Sequence, residues 1–92
     1  MMYETVTGLS GSEVLRRAKG FFAERVPHNA AFLEKEGPAF ATFRGQGGEE
    51  LAIAVASDEQ GTRVRASSLF FDQAIGRFFS TLPAPGARKD VA

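Results

Sequence analysis

ELAIAVASDEQGTRVRASSLFFDQAIGRFFSTL, residues 50–82, reads as two strands joined by a tight turn and followed by an amphipathic helix. From Leu51 to Val55 every second residue is a large aliphatic (Leu51, Ile53, Val55), and Ala52, Ala54 and Ala56 occupy the positions between and after them. A period of two with no polar partner face describes a strand that is apolar on both sides. Ser57-Asp58-Glu59-Gln60-Gly61 is a short polar loop ending in glycine, which supplies the positive φ that such a loop needs. The chain returns from Thr62 to Ser68 in clean alternation, with Val64 and Ala66 on a buried side and Arg63, Arg65 and Ser67 on a wet one. Beyond Ser68 the period lengthens to about three and a half. Phe70, Phe71, Ala74, Ile75, Phe78, Phe79 and Leu82 fall on one helical face, Asp72, Gln73, Arg77, Ser80 and Thr81 lie opposite, and Pro83 ends the helix.

Upstream of this unit, Gly37-Pro38 breaks the chain before a strand from Ala39 to Arg44 that carries Phe40 and Phe43. Gly45-Gln46-Gly47-Gly48 turns that strand into the central hairpin. Ala31 to Glu36 is assigned as a strand, although its alternation is poor and the same residues would also sit in a helix. Before it, Ser10 and Glu13 have capping-box spacing and Leu9 with Val14 has that of a hydrophobic staple. They open a helix that carries Val14, Leu15, Ala18, Phe21, Phe22 and Val26 and stops at Pro27. Met1 to Thr7 is a strand at or near the sheet edge. The expectation is one α+β domain over residues 1–82 in the order β-α-β-β-β-β-α. It is an antiparallel meander with both amphipathic helices on one face, followed by a flexible tail at 83–92 with little to bury.

Eleven Lys and Arg balance eleven Asp and Glu, so the formal net charge is zero and no global field draws nucleic acid or an anionic bilayer. Cysteine is absent, which excludes thiolate chemistry and disulfides and fits a reducing compartment. The first residues have neither the basic nor the apolar region of a secretory leader, and no apolar run reaches the length of a membrane span. A cytoplasmic protein without membrane insertion is expected.

Candidate chemistry is sparse. His28, the single histidine, follows a proline in a turn, and a metal site or triad around it would need carboxylates from distant segments, so no metal is assigned. Glu34 with Glu36 and Glu49 with Glu50 are solvated carboxylates of ordinary acidity, poor acid–base pairs near neutrality. The glycines at 45, 47 and 48 lack the lysine of a phosphate loop and lead into a strand where a helix N-terminus would be required. Arg63 and Arg65 share one strand face and are best explained by cross-strand pairing with carboxylates such as Glu34 and Glu36. No catalytic set and no cofactor site follow from these residues.

The element order is similar to the TBP-like arrangement, and Gly61-Thr62-Arg63-Val64-Arg65 followed by a Phe-rich terminal helix resembles the end of SRPBCC (START and polyketide-cyclase-like) domains. That resemblance implies an apolar ligand held between sheet and helices. Members are longer, with an extra helix and further strands after the first helix.

Two functions are therefore expected. In the first, the chain is a non-catalytic interaction module or accessory subunit. Ala52, Ala54 and Ala56 make a small-residue stripe on the sheet face away from the helices. With Arg63 and Arg65 beside it, that stripe docks onto a second copy or a larger protein. Isolated exposed alanines are also commonly tolerated, so the stripe alone leaves both meanings open. In the second, nine phenylalanines motivate an SRPBCC-like domain that binds an apolar small molecule or lipid, lined by Phe22, Phe40, Phe71, Ile75 and Phe78. Against this, aromatic stripes at helical spacing normally fill one another's space.

Overall fold

The computed structural model describes residues 2–24, 31–45, 47–68 and 71–85. The elements are β1 (Met2–Thr7), α1 (Gly11–Glu24), β2 (Ala31–Gly37), β3 (Phe40–Gly45), β4 (Glu50–Asp58), β5 (Gly61–Ser68) and α2 (Asp72–Ser80). This is the expected β-α-β-β-β-β-α order. The strands form one antiparallel sheet in the order β1-β5-β4-β3-β2. Strands β2 to β5 are consecutive hairpin neighbours, and β1 adds to β5 at the far edge.

Both helices cover one face. The alternation of β4 and β5 sends Leu51, Ile53, Val64 and Ala66 inward, where they join Val14, Leu15, Ala18, Phe21 and Phe22 of α1 and Ala74, Ile75 and Phe78 of α2 in a single buried cluster. Phe22 is the centre of that layer, with ring centroids 5.1 Å from Phe21, 5.7 Å from Phe43 and 5.4 Å from Phe78. These are the spacings of tilted and edge-on rings in contact.

The start of α1 follows the sequence signal in part. The Glu13 N–H donates to Ser10 Oγ at 3.2 Å, and Leu9 and Val14 are both buried. The Glu13 carboxylate, however, does not complete the box. It pairs with Arg16 and, at 3.5 Å, Arg17, and the Arg16 guanidinium holds its acidity above that of an ordinary glutamic acid. The second helix begins at Asp72, with Phe71 at its N-cap and the Phe71 N–H donating to Ser68 Oγ at 2.9 Å. Leu69 and Phe70, the end of the first helix at Val26 and Pro27, and His28 lie outside the described residues.

Residues 31–36 are a strand, and the poor alternation has a cause. The β2–β3 register shifts between Leu33 and Lys35, a bulge at Glu34. Glu34 and Glu36 therefore do not share a face: Glu34 pairs with Arg44 on the open side, whereas Glu36 reaches Lys19 of α1 at 2.8 Å.

The segment just after α2 is tied to the body at Pro83. Thr7 Oγ1 donates to the Pro83 carbonyl at 2.6 Å, the Leu9 N–H donates to Thr7 Oγ1 at 3.4 Å, and Thr62 Oγ1 donates to the Leu9 carbonyl at 2.6 Å. Both threonines are buried, so each hydroxyl satisfies a polar group that would otherwise be costly to bury. Residues 86–92 lie outside the described residues.

Gly20 and Gly76 sit inside α1 and α2, are exposed, and a Cβ added at either meets no atom within 4 Å. Alanine at each is expected to stabilise the domain by about 0.5–1 kcal/mol through the lower backbone entropy of the unfolded chain. Thermal unfolding followed by circular dichroism should show a gain of roughly 4–8 °C per kcal/mol for a domain of this size. A lower Tm in both variants would contradict the helix assignment at these positions.

Candidate functional site: the open face of the sheet

The strand register builds the face away from the helices row by row. One row runs Glu4, Arg65, Ala54, Phe40, Gly37; the next Met2, Ser67, Ala52, Thr42, Lys35; a third Val6, Arg63, Ala56. Along β4 the alanines form a floor one strand wide. The longer side chains of β5 (Arg63, Arg65) stand on one side of it and those of β3 (Phe40, Thr42, Arg44) on the other. Ala54 and Ala56 are exposed and Ala52 is half-buried. Among the described residues no element covers them.

Three of the exposed large apolar side chains lie on this face, Met2 at 60%, Phe32 at 59% and Phe40 at 41%, while Leu33, 39% exposed, stands on the helix side opposite Phe43. Phe40 is held in place rather than loose. Its ring lies over Gly37, the residue opposite it across the β2–β3 hairpin, where a Cβ would fall inside the ring's van der Waals envelope. An aromatic ring packed over a cross-strand glycine is a recurrent way of restoring edge packing.

The charged rim is paired, but not with the expected carboxylates. Arg63 bonds Asp58 at 2.6 Å and Glu4 at 3.1 Å, Arg65 approaches Glu4 at 4.0 Å, and Arg44 grips Glu34 with two bonds of 2.9 and 3.1 Å while donating to the Gly48 carbonyl. Strand order decides this: β5 lies beside β1, so Arg63 and Arg65 reach Glu4 and never Glu34 or Glu36 on the opposite edge. The Gln60 N–H and the Arg63 guanidinium hold the Asp58 carboxyl below the usual carboxylate range, and Asp58 with Glu4 raises Arg63. Cations Arg44, Arg63, Arg65 and Lys35 are thus matched by Glu4, Glu34, Glu50 and Asp58, and the face is close to neutral.

On the helix side, Phe22, Phe71, Ile75 and Phe78 come together as a sequence reading of pocket residues required, but each is buried to 2% exposure or less. Phe40 does not join them; it lies on the open face. Phe40 and Phe43 are three positions apart on one strand, an odd spacing that must send them to opposite faces. That signal was present in the sequence. A shallow cavity of about 280 Å³ does exist, lined by Gly11, Pro38, Ala39, Val55, Ala56, Ser57 and Thr62 at the start of α1. It falls just below the usual range of small-molecule pockets, and none of the expected ligand residues lines it.

The remaining chemistry stays quiet. In the glycine loop the Gly47 N–H bonds the Glu49 carboxylate and the Gly48 N–H bonds the Gly45 carbonyl, so a carboxylate occupies the place a phosphate would need. Burial, with the neighbouring Asp72 carboxylate, pushes the Tyr3 phenol up, away from proton transfer near neutrality. Among the described residues no group of three or more His, Cys, Asp or Glu could hold a metal, and no helix is long and apolar enough to cross a membrane.

Comparison with protein-family models, with curated proteins and with solved structures finds no match. The functional reading therefore rests on the face itself.

Proposed function

We propose that the chain is a cytoplasmic, non-catalytic interaction module that docks a protein partner through the open sheet face. The observation that carries this reading is the uncovered alanine floor of β4 with the exposed, glycine-backed ring of Phe40 beside Ala54. A sheet face that meets only water normally alternates to polar residues at these positions. The β3 and β5 axes are two strand spacings, about 10 Å, apart, so a single ridge of small side chains from a helix can rest on the alanine floor between their longer side chains. Arg65, 4.0 Å from Glu4 and otherwise exposed, retains guanidinium donors for a carboxylate. The occupant that fits is an amphipathic helix with a small apolar seam and an acidic flank.

Magnitude limits the strength of this contact. Five strands about 4.8 Å apart and roughly 20 Å long give a plan area near 480 Å², below the ~800 Å² per partner of a standard interface. Docking of moderate affinity is expected. The SRPBCC-like alternative would place a ligand in the layer that Phe22, Phe71, Ile75 and Phe78 occupy, with ring contacts of 5.1–5.7 Å among Phe21, Phe22, Phe43 and Phe78.

Ala54→Glu places a charge on the floor without touching the core. Ala54 lies opposite Arg65, so the new carboxylate takes the guanidinium offered to the partner and its longer side chain fills the floor; a loss of about 2 kcal/mol weakens association by about 30-fold while circular dichroism stays unchanged. Native mass spectrometry of wild-type and A54E chains purified from their own cells is the direct comparison. Equal partner capture by the two would remove this face as the dock, and a monomer carrying a small molecule of a few hundred daltons would move the function to the Phe-lined layer.

A further inference from the structure

The two edges of the sheet are built differently. β2 ends one side with the bulge at Glu34, the charged run Glu34-Lys35-Glu36 and Pro38 just beyond it, all devices that discourage strand addition. β1 ends the other side with none of these. Its six residues pair with β5 in an unbroken register, Glu4 is its only charge, and Tyr3, Thr5, Val6 and Thr7 are strong strand formers. Among the described residues β1 has a neighbouring strand on one side only. The Pro83 carbonyl accepts from the Thr7 hydroxyl and the Gly8 N–H at the far end of the strand, and from Met2 to Val6 no described residue guards the edge, which makes it a template for another strand.

We infer that β1 pairs antiparallel with β1 of a second copy, about a two-fold axis perpendicular to the sheet. The sequence of β1 selects its own register. Met2, Glu4 and Val6 point to the open face and Tyr3, Thr5 and Thr7 to the helix face, so only registers that place like-facing residues opposite keep the sheet continuous. Centred on Glu4, such a register sets two carboxylates against each other, which is unfavourable. Centred on Thr5, it sets Thr5 against Thr5, Glu4 against Val6 and Tyr3 against Thr7, with no like charges opposed. Arg63 and Arg65 of the same protomer already neutralise Glu4 beside the seam. The two five-stranded sheets become one, and both open faces lie on the same side as a platform of twice the area. This inference does not depend on what docks there.

The chain has no cysteine, so single cysteines report the geometry without background. Sedimentation velocity of the untagged wild type over about 1–1,000 µM should show a concentration-dependent shift to twice the monomer mass, since a seam running only from Tyr3 to Thr7 on each chain buries less than a standard interface. Under mild oxidation Thr5→Cys should form a disulfide dimer at least about ten-fold faster than Lys35→Cys on the other edge or Ala54→Cys on the open face, because residues directly opposite in an antiparallel pair lie within disulfide reach. Val6→Glu, which faces Arg63 on its own chain but the partner's Glu4 across the axis, should weaken the dimer about ten-fold with the fold retained, and it decides the matter should Thr5→Cys not fold. A wild type that stays monomeric throughout, or cross-links at Lys35→Cys or Ala54→Cys in preference to Thr5→Cys, overturns the inference. Ala54→Glu is expected to leave this dimer intact, so loss of partner capture with the dimer retained, and the reverse, identify which of the two surfaces has failed.

Discussion

Phe22→Ala is expected to destabilise the domain by about 3–5 kcal/mol, whereas Phe40→Ala is expected to change stability by less than about 1 kcal/mol. The two side chains are identical and both come from a Phe-rich pattern, so the difference isolates their positions. Phe22 is fully buried and touches the rings of Phe21, Phe43 and Phe78, which belong to α1, β3 and α2. Truncation removes the transfer energy of the ring and leaves a void that three elements border and none can fill without leaving its own contacts. Phe40 covers Gly37 from the open side, and water replaces much of what its ring loses. For a domain whose total stability is about 5–15 kcal/mol, the first change takes away about a fifth or more and lowers Tm by roughly 15–30 °C. Urea unfolding of both variants measures the contrast. Comparable losses would mean that Phe40 belongs to the core, and would revive a Phe-lined pocket that includes it.

Residues 50–82 made the centre of the fold readable because each of its periods is uninterrupted. In β4 the aliphatics and alanines alternate without a break, and in β5 the arginines alternate with Val64 and Ala66, so the faces, including the uncovered alanine floor, followed from period alone. β2 was obscure for the opposite reason: the extra residue at Glu34 moves Glu36 to the other face, and a strict period of two fails across it. Arg63 and Arg65 were legible as paired, but their partner Glu4 depends on β1 lying beside β5, a contact between segments about sixty residues apart that no local pattern encodes. The Thr7–Pro83 bond spans 76 residues and is hidden in the same way. Phe40 is the instructive miss. Composition grouped it with the other phenylalanines, while the odd spacing from Phe43 already assigned it to the open face, where it became part of the candidate dock.

Gly61→Ala is expected to be the most damaging single-methyl change in the chain. Gly61 closes the β4–β5 hairpin with φ of +146°, a conformation essentially confined to glycine, and its added Cβ would overlap the Thr7 carbonyl oxygen. The conformational term alone costs about 1–3 kcal/mol. Relief would require β1 to move away from β5 at its Thr7 end, which is where the Thr7 hydroxyl holds Pro83 and the Thr62 hydroxyl holds the Leu9 carbonyl just before α1. Each buried bond broken there adds about 1–3 kcal/mol, so the sum reaches the scale of the whole folding free energy. Gly48→Ala separates the two contributions, because Gly48 also has positive φ, +92°, but a Cβ there meets nothing within 4 Å. It should retain a cooperative urea transition shifted by the conformational cost only, while Gly61→Ala loses the transition or unfolds at a far lower midpoint. Midpoints that agree closely would show that β1 yields easily at Thr7. They would also weaken the case for β1 as a rigid edge, since a strand that peels from β5 under one methyl group cannot template its own copy.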